Sequence, residues 1–270
     1  MNDVDIIALR SAGGATARMH AHGAHVLSWQ PAGAGECLYL SPLSEFGSSA
    51  AIRGGIPIIF PQFANEGPLP KHGFARNRRW QQCKINEAAC TYELSSDATT
   101  RAIWPRDFTA RVEVLLADAS LSVSLSVTNT GTEAFDFTAA LHTYLAVEDI
   151  GKTTLRGLQG IQYRDSTRDG MLVNETSPIT TVNGEVDRIY LSAPSSITMR
   201  SSTHSVRVDS SAFPDTVVWN PGQERCAALK DMPADGYLRM LCVEAAVIGM
   251  AVALHPGESW WGSQVLHYLR

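Results

Sequence analysis

Leu121-Ser-Val-Ser-Leu-Ser-Val127 constrains this chain more than any other stretch. Apolar and polar residues alternate there without a fault, a period of two that no helix presents and that a strand with one buried face requires. Turn residues bracket it, Asp118 before and Asn129-Thr130-Gly131 after. Segments of the same kind recur along the chain. Residues 16–29 predict a strand, a turn at Gly23 and a second strand; 37–40 predict a short strand, and a meander begins at Trp80. Further strands are expected over 135–147, 197–208, 216–219 and 239–246, with 249–254 and 263–269 closing the chain. No helix-period pattern of useful length occurs, and 233–240 has room for one turn. No linker or low-complexity block interrupts the sequence, so 1–270 reads as a single domain. The expected class is all-β, a large antiparallel β-sandwich, somewhat longer than the roughly 200–250 residues to which such single domains commonly run.

Composition bounds the function. A hydrophobic content of 44% and a charged content of 18% describe an ordinary globular protein with ample core. The net charge of -5 argues against a general nucleic-acid binder, which carries a basic stripe. An anionic ligand must therefore be held by local basic groups. Met1-Asn2-Asp3-Val4-Asp5 is acidic and lacks the basic and apolar regions of a secretory signal. No apolar run approaches the roughly 18 residues of a membrane helix, so no membrane partner is expected. The five cysteines (Cys37, Cys83, Cys90, Cys226, Cys242) are odd in number and lack zinc-ligand spacing. Reduced thiols, mostly small buried hydrophobes, and a cytoplasmic location follow as expectations.

Two features carry chemistry. The first is Ile52-Arg-Gly-Gly-Ile-Pro-Ile-Ile-Phe-Pro61 with Lys71-His-Gly-Phe-Ala-Arg76 close behind it. Glycine lets backbone approach a ligand closely, and arginine offers a planar fork of donors to phosphate or carboxylate. A turn with solvated arginines is the plain alternative. The second feature is strand phase. In 135–147 the odd positions Phe135, Phe137, Leu141, Leu145 and Val147 form an apolar face, which leaves Asp136, Thr138, His142 and Tyr144 on the other. In 239–246, Leu241, Val243 and Ala245 share one face, continued by Val247, and Cys242 and Glu244 the other. A carboxylate deep in an apolar strand is costly unless paired or poised for chemistry. Brought together across one pocket, His142 and Glu244 would form a general acid/base pair. A structural histidine and an ion-paired glutamate are the readings that the residues alone leave open.

The ordered set of motifs resembles the glucose-6-phosphate 1-epimerases (hexose-6-phosphate mutarotases), relatives of the aldose 1-epimerases. The segments are His22-Gly-Ala-His-Val26, Ile52-Arg-Gly-Gly-Ile-Pro57, Phe60-Pro61, His72-Gly-Phe-Ala-Arg76, Leu141-His-Thr-Tyr144, Val186-Asp-Arg-Ile-Tyr190, Trp219-Asn-Pro221, Cys242-Val-Glu-Ala245 and Pro256-Gly257-Glu258. The resemblance implies a galactose mutarotase-like supersandwich that exchanges the anomers of a hexose 6-phosphate, as a monomer without cofactor or metal. It implies Glu244 as the base at the C1 hydroxyl and His142 as the acid at the ring oxygen, with room for a sugar ring between them. It further implies Arg53, Lys71, His72, Arg76 and Asp187 as substrate contacts, with the arginines on the phosphate; a surface ion pair with Arg188 is the alternative for Asp187. Lys71 stands where the resembled family more usually has glutamine. Gly222 replaces a frequent aromatic and is expected to alter a pocket wall.

Overall fold

The computed structural model describes residues 5–46 and 51–269. The acidic start read above as no secretory signal therefore lies, except for Asp5, outside the described residues. Three antiparallel sheets organise the chain. A nine-stranded sheet runs in the order Thr180–Thr181, Thr154–Arg156, Ser196–Arg200, Ser205–Ser211, Ser259–Leu269, Ser120–Asn129, Phe108–Leu116, Ala89–Ser95, Gln81–Ile85. An eight-stranded sheet runs Met171–Asn174, Gln162–Asp165, Val186–Tyr190, Asp215–Asn220, Met240–Leu254, Phe135–Leu141, Ile58–Ile59, with Tyr144–Ala146 also paired to Met240–Leu254. Ile6–Arg10, Thr16–His20 and His25–Gln30 make the third.

The alternating stretch does what its period demands. Leu121, Val123, Leu125 and Val127 are buried in one apolar cluster with Leu141, Leu145, Val243 and Ala245 of the eight-stranded sheet. Those residues fix the register of the pair Leu141↔Ala245. A one-residue slip would turn each buried aliphatic side chain outward, at roughly 1.5–3 kcal/mol apiece. The other face of the eight-stranded sheet therefore carries Tyr144, Val217, Trp219, Cys242 and Ala246, a second cluster on which the site is built.

Several expectations are corrected. Residues 197–208 form a hairpin, not one strand, closed where Ser201 N donates to His204 O (2.9 Å). The two segments 239–246 and 249–254 are one strand, Met240–Leu254, whose register shifts between Val247 and Val252. There the Asp215 carboxylate accepts from Ile248 N and Gly249 N, both 2.8 Å, replacing ladder bonds. Residues 37–40 form only isolated bridges, Leu38↔Leu145 and Leu40↔Gly54. The helices Ala98–Arg101 and Gly222–Ala228 are too short to show a period in sequence. No helix is long and apolar enough to cross a membrane among the described residues.

Gly54 and Gly55 serve the fold, not a ligand. Their φ values are +110° and +62°; a Cβ would stand 2.3 Å from Tyr39 O at Gly54 and 2.0 Å from Val26 O at Gly55. Backbone, then, is what these glycines approach. Gly55→Ala is expected to lower the unfolding free energy measured in urea by more than the roughly 1–2 kcal/mol that left-handed backbone costs an L-residue. Gly14→Ala is the control, since Gly14 has φ +95° and open space around its Cβ position. Equal losses in the two variants would show that the close approach is unimportant.

Candidate active site

The strand Phe135–Leu141 leaves its ladder at His142. There His142 N donates to Pro57 O (3.0 Å) and Tyr144 N to Gly55 O (2.9 Å), so the arginine-glycine stretch carries the segment that presents His142. Thr143 turns to the opposite face, where its hydroxyl donates to Gln264 Oε1 and Gln264 Nε2 donates to Val243 O (3.2 Å). His142 is stacked on Tyr144 (4.7 Å between centroids, 10° between planes) and met edge-on by Trp219 and His72 at 5.9 and 5.8 Å. Glu244 lies on the neighbouring strand, opposite Val217 in register.

His142 Nδ1 stands 3.1 Å from Glu244 Oε1. The two side chains are in contact, which leaves no room for the ring expected between them. The contact is poorly aligned, because neither Nδ1 of His142 nor Oε2 of Glu244 has a hydrogen-bond partner. Their relative exposures are 7% and 1%. Buried polar atoms left unpaired cost on the order of 1–3 kcal/mol each, which a bound polar ligand can recover. Burial dominates their titration. It holds His142 well below its ordinary value, helped by His72, Arg76 and Arg53, and pushes Glu244 well above the usual carboxylate range, helped by Asp187 and opposed by Arg76. Perturbation of this kind in a cleft marks a candidate functional site.

All seven residues expected at the site line one cavity of about 270 Å³, near the lower end of the ~300–1,000 Å³ of small-ligand sites. Arg53 donates to Asp231 Oδ2 from Nε (3.1 Å) and Nη2 (3.0 Å), and to the Tyr144 hydroxyl from Nη1 (3.1 Å). Among the described residues Arg76 reaches only the Lys71 carbonyl, at 3.3 Å from Nη2, and its buried Nε has no partner there. His72 Nδ1 accepts from Ala64 N (3.2 Å); burial and three neighbouring cations lower its pKa to about 3, so the ring is neutral. Asp187 is paired in register with Trp219, and burial raises its pKa. The ion pair with Arg188 does not form: Arg188 turns to Glu175 (3.4 Å) and lies over the Tyr163 ring. The amides of Gly55 and Gly73 are also taken, by Tyr39 O (2.7 Å) and Pro70 O (2.8 Å), and offer nothing to an anion.

Sequence reasoning missed Trp219 as a cavity wall, Arg225 on the lining, and Asp231 as the partner of Arg53. The indole was traceable, since Trp219 shares the face of Val217 in a readable strand. Nothing in the sequence joined Asp231 to Arg53. Gly222 is not on the cavity wall; a Cβ there, at φ +62°, would stand 2.6 Å from Glu185 N, so backbone packing selects the glycine. For metal binding, donor atoms of His142, Cys242 and Glu244 lie within 4.8 Å of one another, a juxtaposition that sequence spacing did not show. Burial raises the Cys242 thiol well above its ordinary value, which works against the thiolate that a metal needs. A more open hollow at Asp5, Arg79, Trp80 and Gln82 holds an Arg79–Asp5 ion pair and no buried acid/base pair.

Comparison with known proteins gives a consistent result. A family profile described as Aldose 1-epimerase matches residues 5–267. A protein of Escherichia coli K12, provisionally named glucose-6-phosphate 1-epimerase, is 38% identical over 232 residues, covering 83% of this chain and 77% of its own. A Cenchrus ciliaris protein of the same provisional name is 36% identical over 270 residues, covering 95% and 82%. Among solved structures, a provisionally named mutarotase from Salmonella typhimurium superposes with a TM-score of 0.91 at 30% identity, covering 100% of this chain and 92% of its own.

Proposed function

This chain belongs to the aldose 1-epimerase family, and on that premise we propose that it interconverts the α and β anomers of a hexose 6-phosphate, glucose 6-phosphate foremost. The observation that carries the chemistry is the buried pair His142–Glu244, in contact at 3.1 Å with an unpartnered polar atom on each side chain. In the proposed reaction Glu244 takes the proton of the C1 hydroxyl and His142 gives one to the ring oxygen. The C1–O5 bond breaks as the C1 carbonyl forms. The open aldehyde turns about its bond to C2, and closure on the other face reverses both transfers. Proton transfer alone drives the cycle, so the proposal includes no cofactor or metal. Arg53, Lys71, His72, Arg76 and Asp187 are the proposed substrate contacts, and Trp219 a wall for the ring. Residues 1–270 are proposed to act as one domain and as a monomer in the cytoplasm. Buried apolar side chains from all three sheets in one cluster support the single domain.

Opening and closing need one proton on the pair, and it must pass from Glu244 to His142 across their 3.1 Å contact before Glu244 can act as the base. Burial favours a singly protonated pair, since raising Glu244 and lowering His142 keeps one proton there across neutral pH. Loss of this proton above the raised Glu244 range, or gain of a second below the depressed His142 range, stops the exchange. The kcat/KM of anomer exchange is therefore expected to be bell-shaped in pH, its limbs belonging to the pair. The test follows freshly dissolved α-glucose 6-phosphate to its anomer equilibrium by optical rotation, across pH. A profile that Glu244→Gln and His142→Asn leave unchanged would assign the reaction to other groups.

A further inference from the structure

Among the described residues, one group of three metal-ligating side chains brings its donor atoms together: His142, Cys242 and Glu244, within 4.8 Å of one another. The strand Met240–Leu254 supplies two of them at i and i+2, on one face of the sheet. The segment that follows Phe135–Leu141 supplies the third, held by the pairing of Leu141 with Ala245 and of Tyr144 with Cys242. His142 and Glu244 already touch at 3.1 Å, and Nδ1 of the one and Oε2 of the other are buried without a hydrogen-bond partner. Cys242 is fully buried and forms no disulfide. A tetrahedral zinc ion, with ligands at roughly 2.0–2.3 Å, sets its donors about 3.3–3.8 Å apart. No pair of donors has to close by more than about 1.5 Å to meet that geometry. The surroundings select which ion can stay. Arg53, Lys71, Arg76 and Arg225 line the cavity, against Glu66, Asp187 and Glu244, and burial holds the Cys242 thiol protonated. An ion with strong affinity for sulfur and imidazole can overcome both; magnesium and calcium, which take oxygen ligands, cannot.

We propose that His142, Cys242 and Glu244 form an inhibitory site for a thiophilic divalent ion, zinc foremost, which competes with the sugar for the acid/base pair. Binding displaces the Cys242 thiol proton and the proton of the His142–Glu244 pair into solvent. Imidazole, thiolate and carboxylate take three corners of a tetrahedron, and the fourth faces the cavity that His142 and Glu244 line. An ion so held occupies the lone pairs that proton transfer needs, and exchange stops. Zinc is here an inhibitor, not a cofactor. That it stops anomer exchange rests on the functional reading above; that it binds does not.

The test has two arms. In the first, the protein is titrated with cobalt(II) alone, without sugar, and its absorption spectrum is recorded. A thiolate-to-cobalt charge-transfer band in the near ultraviolet is expected, with the intense visible bands of a tetrahedral ion. Cys242→Ser and Cys242→Ala should lose the charge-transfer band, and Cys83→Ser, at the exposed thiol, should keep it. The second arm follows anomer exchange of glucose 6-phosphate at buffered free zinc, each variant against its own zinc-free rate. Zinc should inhibit the wild type in competition with the sugar, a chelator should restore the rate, and magnesium should leave it unchanged. Each Cys242 substitution is expected to raise the zinc needed for half-inhibition by about 100-fold or more, because losing a ligand outweighs the roughly 10–100-fold of losing an outer-shell partner. A cobalt band that depends on Cys83, zinc inhibition that both Cys242 variants leave unchanged, or zinc no stronger than magnesium would each overturn the site. Protein that shows the Cys242-dependent band yet exchanges no anomers would instead overturn the functional reading and leave the metal site in place.

Discussion

Glu244→Gln is expected to lower kcat for anomer exchange by about 10²–10⁴-fold, the usual worth of one positioned acid or base. The change is nearly isosteric at a side chain 1% exposed, so the sheet register around it is kept. The same variant should be more stable than the wild type at neutral pH. Because burial raises the folded-state pKa of Glu244 above its ordinary value, the folded protein holds this proton more tightly than the unfolded chain. That contribution to stability is fully present below the unfolded value and is lost as pH rises through the folded one. Glutamine has no proton to lose, and its advantage in melting temperature should therefore be absent near pH 4 and grow toward neutrality. Active, folded Glu244→Gln at the wild-type rate would remove Glu244 from the chemistry. His142→Asn should show a loss of similar size.

Glu244 was legible because its neighbours Val243 and Ala245 fix the phase of the strand, and His142 because Leu141 and Leu145 do the same. Their direct contact was not. It depends on the strand ladder ending at Leu141 and on Pro57 O receiving His142 N, and both are tertiary events. The arginine-glycine stretch was recognised as central for a reason that only half holds. Its glycines let the backbone pass Val26 and Tyr39 closely, and so hold the segment carrying His142. Arg225 was hidden by its seven-residue helix, too short for any periodic signal. The long strand Met240–Leu254 read as two because its bulge resets the alternation at Gly249.

Arg76→Ala should cut kcat/KM for glucose 6-phosphate by about 10- to 150-fold, the equivalent of ~1.5–3 kcal/mol for a hydrogen bond to a charged partner. The motive is a half-buried guanidinium with no carboxylate partner among the described residues and an unpartnered Nε. On glucose the loss should be smaller, and raised salt should erode the wild-type preference for the phosphorylated sugar as screening weakens charge. Arg53→Ala should show a loss of the same kind, with an added loss common to both sugars because Asp231 and the Tyr144 hydroxyl lose their partner. Parallel rates on the two sugars separate the cases. Equal losses on both sugars for Arg76→Ala would move Arg76 from the phosphate to the ring or the fold.

The central claim is that a single buried pair exchanges the anomers of a phosphorylated hexose. Magnetisation-transfer NMR on glucose 6-phosphate at anomer equilibrium tests it most directly, because it reads α-to-β exchange with no coupling enzyme. Wild-type protein should accelerate this exchange far above the buffer rate, glucose should respond much less, and Glu244→Gln should fall back toward the buffer rate. Exchange no faster with the folded protein than in buffer alone would contradict the account.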